Sequence, residues 1–390
     1  QAKSLLNGKE IFPGAGPVRI GYAKVPGSSG SGTPGPNGIQ SSATPDPNFK
    51  INTGVDGAET GGGARSRVPQ IPALPDLQPE IMQIVKEFGA SEEDSLAVAG
   101  GVQRAIAYNS FIDEIPPIPE PSQTRIFDAP RLRDIRKRID NGTCSMQEIE
   151  ETAAAMLPEI AELSSDYLGN TVVQKLFEYC SEQTKEQMLG PIAPHLAEIG
   201  VHKNGTWAAQ KIIDVTKSPT QMKMIVEALR PYTLPLFLDQ YGNYVLQCCL
   251  RFGSPYNDFI FEAMLSRMWE VAQGRFGARA MRACLESHHT SKDQQRMLAA
   301  AIALHSVQLA TNANGALLLT WYLDTCNFSN RRTVLAPRLV PHLVHLCTHK
   351  VAYLTVLKVI NQRNEPEARE TALKALFFSP GDETLESILS

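Results

Sequence analysis

A short motif recurs at nearly constant spacing through much of the chain. Glycines at positions 169, 205, 242, 277 and 315 each open a segment of similar pattern, at intervals of 36, 37, 35 and 38 residues. A further copy without the glycine begins at Val351. One copy of this size is too small to bury its own apolar face, so the copies must stack side by side as a solenoid.

The pattern within each copy indicates helices. Short apolar segments such as Pro194–Ile199 precede the later glycines, and an amphipathic segment follows each glycine. One period before Gly169 lies another amphipathic segment, Arg131–Ile139, and the alternation typical of strands is absent between copies. We therefore predict an all-α fold over residues 131–378, an α-α superhelix of about six units whose concave wall is formed by the helices that follow the glycines.

Charge limits what such a solenoid could bind. The whole chain carries a formal net charge of −4, whereas residues 131–378 hold 27 basic and 24 acidic side chains. This balance is too weak for a protein that binds nucleic acid mainly through phosphates, so any such binding must depend on bases. The seven cysteines lack a CxxC pair, which favours a reducing compartment and predicts a cytoplasmic protein.

The chain before the repeats divides into three parts. Residues 1–25 combine a helical start, a turn at Asn7-Gly8 and an alternating strand over Val18–Val25. Residues 26–76 are rich in Gly, Ser, Pro and Thr, which predicts a flexible linker, and residues 77–130 regain helical periodicity as an extension of the repeats. Residues 379–390 form a C-terminal tail. The sequence has no run of about 18 apolar residues, so we do not expect a segment that inserts into a membrane.

The residues after two of the glycines carry a family resemblance. Gly-Asn-Tyr-Val-Leu-Gln at 242–247 and Gly-Asn-Thr-Val-Val-Gln at 169–174 resemble the recognition helix of the Pumilio (PUF) repeat family. Residues 1–25 resemble the last quarter of an RNA recognition motif, so the layout is similar to the divergent fungal branch of that family. The resemblance implies sequence-specific binding of single-stranded RNA in mRNA 3′ untranslated regions, and post-transcriptional regulation of mRNA through protein regulators on the convex face.

The resemblance also implies which side chains contact RNA. In the family, the first and fifth residues after the glycine contact the edge of one base, and the second stacks between bases. Residues four apart lie on one helix face, which explains the spacing. The implied RNA-binding residues are Asn170, Thr171, Gln174, Thr206, Trp207, Gln210, Asn243, Tyr244, Gln247, Arg279 and Arg282.

The implied base preferences follow from the same positions. Asn with Gln in the first and third copies is the family's uracil pattern, and Thr206 with Gln210 is nearest to its adenine pattern. The fourth copy keeps a stacking Arg279 but has Ala278 and Arg282 at the edge positions, so it should hold a base without reading it strictly. Because the family binds RNA antiparallel, the implied core is 5′-N-U-A-U-3′. Three reading units predict modest affinity, and hence a homodimer or paired target elements.

Other interpretations of these residues remain open at this stage. Asn170 and Asn243 could be helix N-caps, and Trp207 and Tyr244 could belong to the core. Arg279 and Arg282 could be solvated charges, and the divergent later copies favour an alternative function, a helical protein–protein scaffold. A zinc site is a remote interpretation of His342, His345, Cys347 and His349. No nucleophile, phosphate-binding or zinc-protease motif indicates an enzyme, and we expect neither a cofactor nor a bound metal.

Overall fold

The computed structural model describes residues 70–390 of the chain. The motif remnant predicted at 1–25, and the linker predicted at 26–76 up to residue 69, lie outside the described residues. The described residues, 70–390, belong to one compact unit. Within the described part no strand is present, which confirms the all-helical prediction for the repeats. No helix there is both long and apolar enough to cross a membrane.

The helices after residue 159 recur in triplets, which we call units one to six. The helices before them are α1, Leu74–Glu87, α2, Glu92–Ala107, α3, Ala129–Asp140, and α4, Met146–Met156. Units one to three are α5, Ile160–Leu163, α6, Gly169–Tyr179, and α7, Glu182–Ile192; α8, Leu196–Val201, α9, Gly205–Val215, and α10, Pro219–Leu229; and α11, Thr233–Leu238, α12, Gly242–Cys249, and α13, Asp258–Ser266.

The remaining units follow the same order of helices. Units four to six are α14, Met268–Ala272, α15, Arg275–Glu286, and α16, Lys292–Leu304; α17, Ser306–Thr311, α18, Ala313–Thr325, and α19, Arg331–Leu339; and α20, Leu343–Thr348, α21, Tyr353–Asn361, and α22, Pro366–Phe377. A last helix, α23, Glu383–Leu389, occupies the segment predicted as a tail and packs against α20 and α22.

Consecutive second helices pack against one another from α3 through α6, α9, α12, α15 and α18 to α21. Their apolar faces are buried, as Leu176, Ile212 and Leu246 illustrate. The row is continuous because each second helix lies between those of its two neighbours. The helix that follows each glycine therefore forms one face of a solenoid, as the sequence predicted.

The repeated glycines allow the first and second helices of a unit to cross closely. A Cβ atom on Gly205 would lie 2.5 Å from the carbonyl oxygen of Ile199, and one on Gly277 would lie 2.0 Å from that of Val271. Any other residue at these positions would displace the backbone of the first helix. Unit six has Ala352, and not Val351, at this position, and its second helix begins at Tyr353.

The N-terminal extension packs against the middle of the array and does not continue it at its end. The α1–α2 hairpin lies against α13 and α16, the third helices of units three and four. Arg104 on α2 pairs with the buried Glu262, with 2.7 Å between Nε and Oε1, and Arg296 on α16 donates to Asp94 at 2.9 Å. Glu262 also pairs with Arg230 at 3.0 Å. The hairpin is thus held by ion pairs to two buried side chains of the array, Glu262 and Arg296.

An extended segment returns from the hairpin to unit one. The amide of Ile112 donates to the carbonyl oxygen of Pro231 at 2.8 Å, between units two and three. Further along, the amides of Ile126 and Phe127 donate to the Glu159 carboxylate, at 2.6 and 3.1 Å, beside unit one. This segment therefore runs antiparallel to the order of the units and connects the third unit to the first.

Candidate nucleic-acid interface

The first and fifth positions of unit three form a hydrogen-bonded pair. Gln247 Nε2 donates to Asn243 Oδ1 at 3.0 Å. The Asn243 amide nitrogen in turn donates to the carbonyl oxygens of Asp239 and Gln240, at 2.8 and 3.1 Å. Both amide hydrogens of Asn243 are thereby used by its own backbone, and only its oxygen is left to interact further.

Unit one repeats this arrangement. Gln174 Nε2 donates to Asn170 Oδ1 at 3.1 Å, and Asn170 Nδ2 donates to the carbonyl oxygens of Asp166 and Tyr167, at 2.8 and 3.0 Å. The two asparagines are therefore not helix N-caps, because a cap accepts from backbone amides whereas these side chains donate to backbone carbonyls.

The residues at the first and fifth positions of units one and three are not fully exposed to solvent. Asn170 is 5% exposed and Asn243 is 0% exposed, whereas Gln174 and Gln247 are half-buried. The reason is the pair of bonds to the preceding turn, which draws each asparagine beneath its glutamine. The glutamines are the accessible members of each pair, so a base would meet them first.

Unit two places a hydroxyl where its neighbours have a carboxamide. Gln210 Nε2 donates to Thr206 Oγ1 at 2.9 Å, which leaves the hydroxyl hydrogen of Thr206 to be donated elsewhere. The thiol of Cys248, from the next unit, lies 4.0 Å from Gln210 Oε1. Burial raises the pKa of this thiol to about 12, so it is protonated and can only donate weakly here.

The second positions supply flat or extended surfaces. Trp207 is 62% exposed on α9. Tyr244 is half-buried, with the Arg279 guanidinium carbon 5.2 Å from its ring centroid, so the stacking candidates of units three and four contact each other. Thr171 donates its hydroxyl to the carbonyl oxygen of Leu168 at 2.8 Å and offers little surface. Trp207 and Tyr244 therefore belong to the surface of the second helices and not to the core.

Unit four departs from the first three units. Its first position, Ala278, is buried and has no polar group, and its fifth, Arg282, donates from Nε to Glu286 Oε1 at 3.0 Å. Trp321, on the second helix of unit five, donates its indole N–H to the same Glu286 oxygen at 2.9 Å. The edge position of unit four is thus engaged by neighbouring side chains.

Units five and six present mainly apolar groups. In unit five, Leu317 at the second position is exposed, and Ala316 at the first position has no group that could hydrogen-bond to a base edge. In unit six, His349 accepts from the amides of Val351 and Ala352, which aligns Ala352 with the glycines. The first, second and fifth positions of that unit are therefore Tyr353, Leu354 and Leu357, which are exposed. The face of the second helices therefore changes from polar to apolar along the array.

A helix cap that recurs in the units was not predicted from the sequence. Three residues before the glycine, a side chain accepts from the amides at the start of the second helix. Asp239 Oδ1 accepts from Tyr241 and Gly242 at 2.8 and 2.7 Å, and His202 Nδ1 accepts from Asn204 and Gly205, both at 3.3 Å. The residues at this position are Asp166, His202, Asp239, Asn312 and His349. Their common spacing from the glycine was the available signal.

The cap of unit two predicts a pH dependence. Burial and the nearby Lys203 lower the pKa of His202. The neutral ring is the form that can accept at Nδ1 from the amides of Asn204 and Gly205. A pKa that is lower in the folded than in the unfolded state gives stability that is present above about 6.5 and is lost as the pH falls through the folded value.

Replacing His202 by Asn keeps a cap that does not titrate, as Asn312 provides in unit five. Between about pH 7.5 and about pH 5, wild type should lose about 1 kcal/mol more unfolding free energy than this variant. Denaturant unfolding at the two pH values measures the difference. Equal losses in both proteins would show that the His202 ring does not stabilise α9.

The histidines near the end of the array also have a structural role. His349 Nδ1 accepts from the amides of Val351 and Ala352, both at 3.2 Å, so this ring caps unit six. His345 lies beside it, with 5.9 Å between ring centroids. Among the residues that the structure describes, no cluster of three or more His, Cys, Asp or Glu side chains is arranged to hold a metal ion.

Comparison with known proteins bears on what this surface is. A profile of the Pumilio-family RNA-binding repeat matches residues 159–192, 195–230 and 238–265, which correspond to units one, two and three. These are the units whose second helices carry the hydrogen-bonded edge pairs.

One solved structure is similar over most of the chain. It is the PUM-HD domain of Schizosaccharomyces pombe Puf1 in complex with RNA, which is 51% identical, has a TM-score of 0.74, and covers 81% of this chain and 83% of that one. Its similarity extends beyond the three units matched by the repeat profile.

Two curated relatives are longer than this chain. A Pumilio domain-containing protein of Schizosaccharomyces pombe is 46% identical over 392 residues, which is 100% of this chain and 57% of that protein. The mRNA-binding protein PUF2 of Saccharomyces cerevisiae is 42% identical over 320 residues, which is 79% of this chain and 30% of PUF2. The chain therefore spans between 30% and 57% of the lengths of these two relatives.

Proposed function

Because the chain belongs to the Pumilio family, we propose that it binds single-stranded RNA on the row of second helices, with a UAU core read by units three, two and one. The observation that carries this proposal is the hydrogen bonding of the edge pairs, Asn–Gln in units one and three and Thr–Gln in unit two.

The Asn–Gln pairs favour uracil. Asn243 is buried and its oxygen accepts from Gln247, so it orients that glutamine beneath the base. The Oε1 atom of Gln247 can then accept from the uracil N3–H. Gln247 keeps one amide hydrogen to donate to an adjacent uracil carbonyl. Guanine presents a similar donor and acceptor on its N1–O6 edge, so we expect guanine to be the best tolerated substitute, and adenine and cytosine to be rejected.

The Thr–Gln pair favours the opposite arrangement. The Thr206 hydroxyl accepts from Gln210, so its hydrogen can be donated to a ring nitrogen such as adenine N1. Gln210 Oε1 can accept from the adenine amino group, because the thiol of Cys248 is a weak donor at 4.0 Å. Cytosine has the same order of acceptor and donor, so we expect it to be the best tolerated substitute at this position.

The biological setting is proposed from the same reasoning. The relative named as an mRNA-binding protein supports mRNA as the RNA class, and we propose that sites in 3′ untranslated regions are bound in the cytoplasm to regulate mRNA. Protein regulators on the convex face belong to this proposal. With three reading units, dimerisation or paired elements should increase the affinity. We also propose that residues 1–25 are the end of an RNA recognition motif.

Selection from a random RNA library tests the proposal without presupposing the target. The full chain is bound to the library at moderate salt, and the retained RNAs are sequenced. We expect enrichment of sequences that contain UAU. If no short motif is enriched, the protein scaffold becomes the better interpretation, and the exposed apolar residues Leu317, Leu354 and Leu357 of units five and six would be its contact surface.

Stacking by Trp207 gives a second test at a residue that the fold does not require. Trp207→Ala should lower affinity for UAU-containing RNA by about 1 to 3 kcal/mol, with little change in base preference, since every base has a face to stack. Because Trp207 is 62% exposed, the unfolding midpoint of the Trp207→Ala variant should be close to that of wild type.

Leu96→Ala is the matched control for Trp207→Ala, because Leu96 is also exposed but lies on α2 of the hairpin. It should leave RNA affinity unchanged. Titration of fluorescently labelled RNA gives both affinities. If neither variant binds RNA more weakly than wild type, Trp207 does not contact the RNA.

A further inference from the structure

The side chains of Arg282, Glu286 and Trp321 contact one another at the boundary of units four and five. The Arg282 guanidinium carbon lies 5.7 Å from the centroid of the Trp321 ring, and Arg282 and Trp321 both donate to Glu286 Oε1. Glu286 is therefore the one acceptor shared by both groups. Arg282 occupies the fifth position of unit four, where the first three units carry the glutamine that faces the base.

The same position of the second helix has other partners in other units. Glu286 is the ninth residue after the glycine of its unit; the equivalent residues of units one, two and five are Glu178, Asp214 and Asp324, and that of unit three is Arg251. Asp324 pairs with Lys358 of the next unit at 2.6 Å, and Asp214 lies 4.0 Å from Arg251 of the next unit. In unit four the carboxylate instead pairs with the edge residue of its own helix.

We propose that Glu286 determines the specificity of unit four by holding Arg282 away from the base. This inference rests on the proposed RNA binding and deepens it. A guanidinium released from Glu286 can donate two parallel N–H groups to two adjacent acceptors. Among the bases, cytosine offers such a pair at O2 and N3, and guanine at O6 and N7. The bond from Nε–H to Glu286 occupies the side-on pair of N–H groups and holds the guanidinium beside the Trp321 ring. The end-on pair, from the two Nη atoms, stays free, so Glu286 acts by fixing the direction in which the guanidinium points.

Exposure sets the expected size of the effect. The side chains of Arg282 and Glu286 are 53% and 45% exposed, so the ion pair between them is weak. Its loss should therefore change base preference by about three- to fivefold, which is the scale of an exposed ion pair. Since the buried Ala278 provides no polar group at the first position, Arg282 is the side chain that can express this preference.

Removing a carboxylate also reduces repulsion of RNA phosphates, and this second effect must be separated from the first. Glu178 provides the control, because it is the exposed carboxylate at the equivalent position of unit one. Glu178→Gln removes the same charge without releasing an arginine. A purely electrostatic effect should appear in both variants and should be equal for all four bases.

The experiment measures affinities for four RNAs that contain N-U-A-U and differ only at N. Wild type and Glu178→Gln should show nearly equal affinities for the four. Glu286→Gln should favour cytosine or guanine at N by about three- to fivefold, and this preference should vanish in Glu286→Gln with Arg282→Ala. The Gln side chain keeps an acceptor for the Trp321 indole, and Glu286→Ala tests whether that matters.

The outcomes separate this inference from the proposed function. If wild type binds the series but Glu286→Gln and Glu286→Ala show the same flat preference at N, the inference about Glu286 is wrong and RNA binding stands. A gain that persists without Arg282 would also overturn it. If wild type binds none of the four RNAs, the proposed function and this inference both fail.

Discussion

Replacing Asn243 and Gln247 together by Ala is expected to weaken binding to UAU-containing RNA by roughly 2 to 4 kcal/mol. The reason is that the base facing unit three would lose its acceptor and donor while its own polar edge stays buried against the helix. The preference for U at the first position of the core should be relaxed at the same time. Affinities for RNAs with each of the four bases at that position measure both effects.

The structure shows why folding must be controlled in this experiment. Asn243 also donates from its side chain to the carbonyl oxygens of Asp239 and Gln240, so its removal deletes two hydrogen bonds that hold the turn before α12. Gln247 makes no such bond to the turn. Gln247→Ala alone should therefore relax the choice of base with a smaller change in the unfolding midpoint.

Unit one offers a matched control for the same chemistry. Asn170 and Gln174 form the same pair, so Asn170→Ala with Gln174→Ala should lower affinity similarly but relax the last U of the core instead of the first. If the unit-three variant keeps its preference for the first U, the assignment of Asn243 and Gln247 to that base is wrong. If both variants relax the same position, the antiparallel order of units on RNA is wrong.

Gly205→Ala is expected to destabilise the fold by about 1 to 3 kcal/mol or more, because overpacking at a helix crossing forces the backbone apart. The added Cβ would lie 2.5 Å from the carbonyl oxygen of Ile199 and 2.6 Å from the hydroxyl of Ser165. The carbonyl cannot move without shifting α8. Denaturant unfolding of the full chain measures the change.

Gly100 provides a control of opposite sign. It lies within α2, and a Cβ built there would lie 3.5 Å from the Arg104 Nη1 atom, which is ordinary van der Waals contact with a flexible side chain. Gly100→Ala should therefore stabilise the protein by about 0.5 to 1 kcal/mol, because alanine loses less backbone entropy on forming a helix. If Gly205→Ala were as stable as Gly100→Ala, close helix crossing would not explain why glycine recurs in the units.

The sequence was informative where one feature repeats locally. The glycine period predicted the solenoid and the row of second helices, because each glycine serves a contact within its own unit. The same period placed Gln174, Gln210 and Gln247 on one face of the second helices, since residues four apart share a helix face.

The features that the sequence did not predict depend on contacts between distant segments. The hairpin docks through Arg104 on Glu262, which are 158 residues apart, and neither residue belongs to a motif. The burial of Asn170 and Asn243 depends on backbone carbonyls in the preceding turn, which a side-chain pattern does not reveal. The role proposed for Glu286 could not be predicted from the sequence, because it depends on Trp321 of the next unit, which donates to the same carboxylate as Arg282.

The most direct test of base reading is a set of binding measurements with wild-type protein. A short RNA that contains UAU is compared with three RNAs in which U, A or U is replaced in turn by a base of the opposite donor and acceptor order, namely C, U and C. The account predicts that each single replacement weakens binding by about 1 to 3 kcal/mol, the scale of one lost edge pair. Equal affinity for all four RNAs would contradict it.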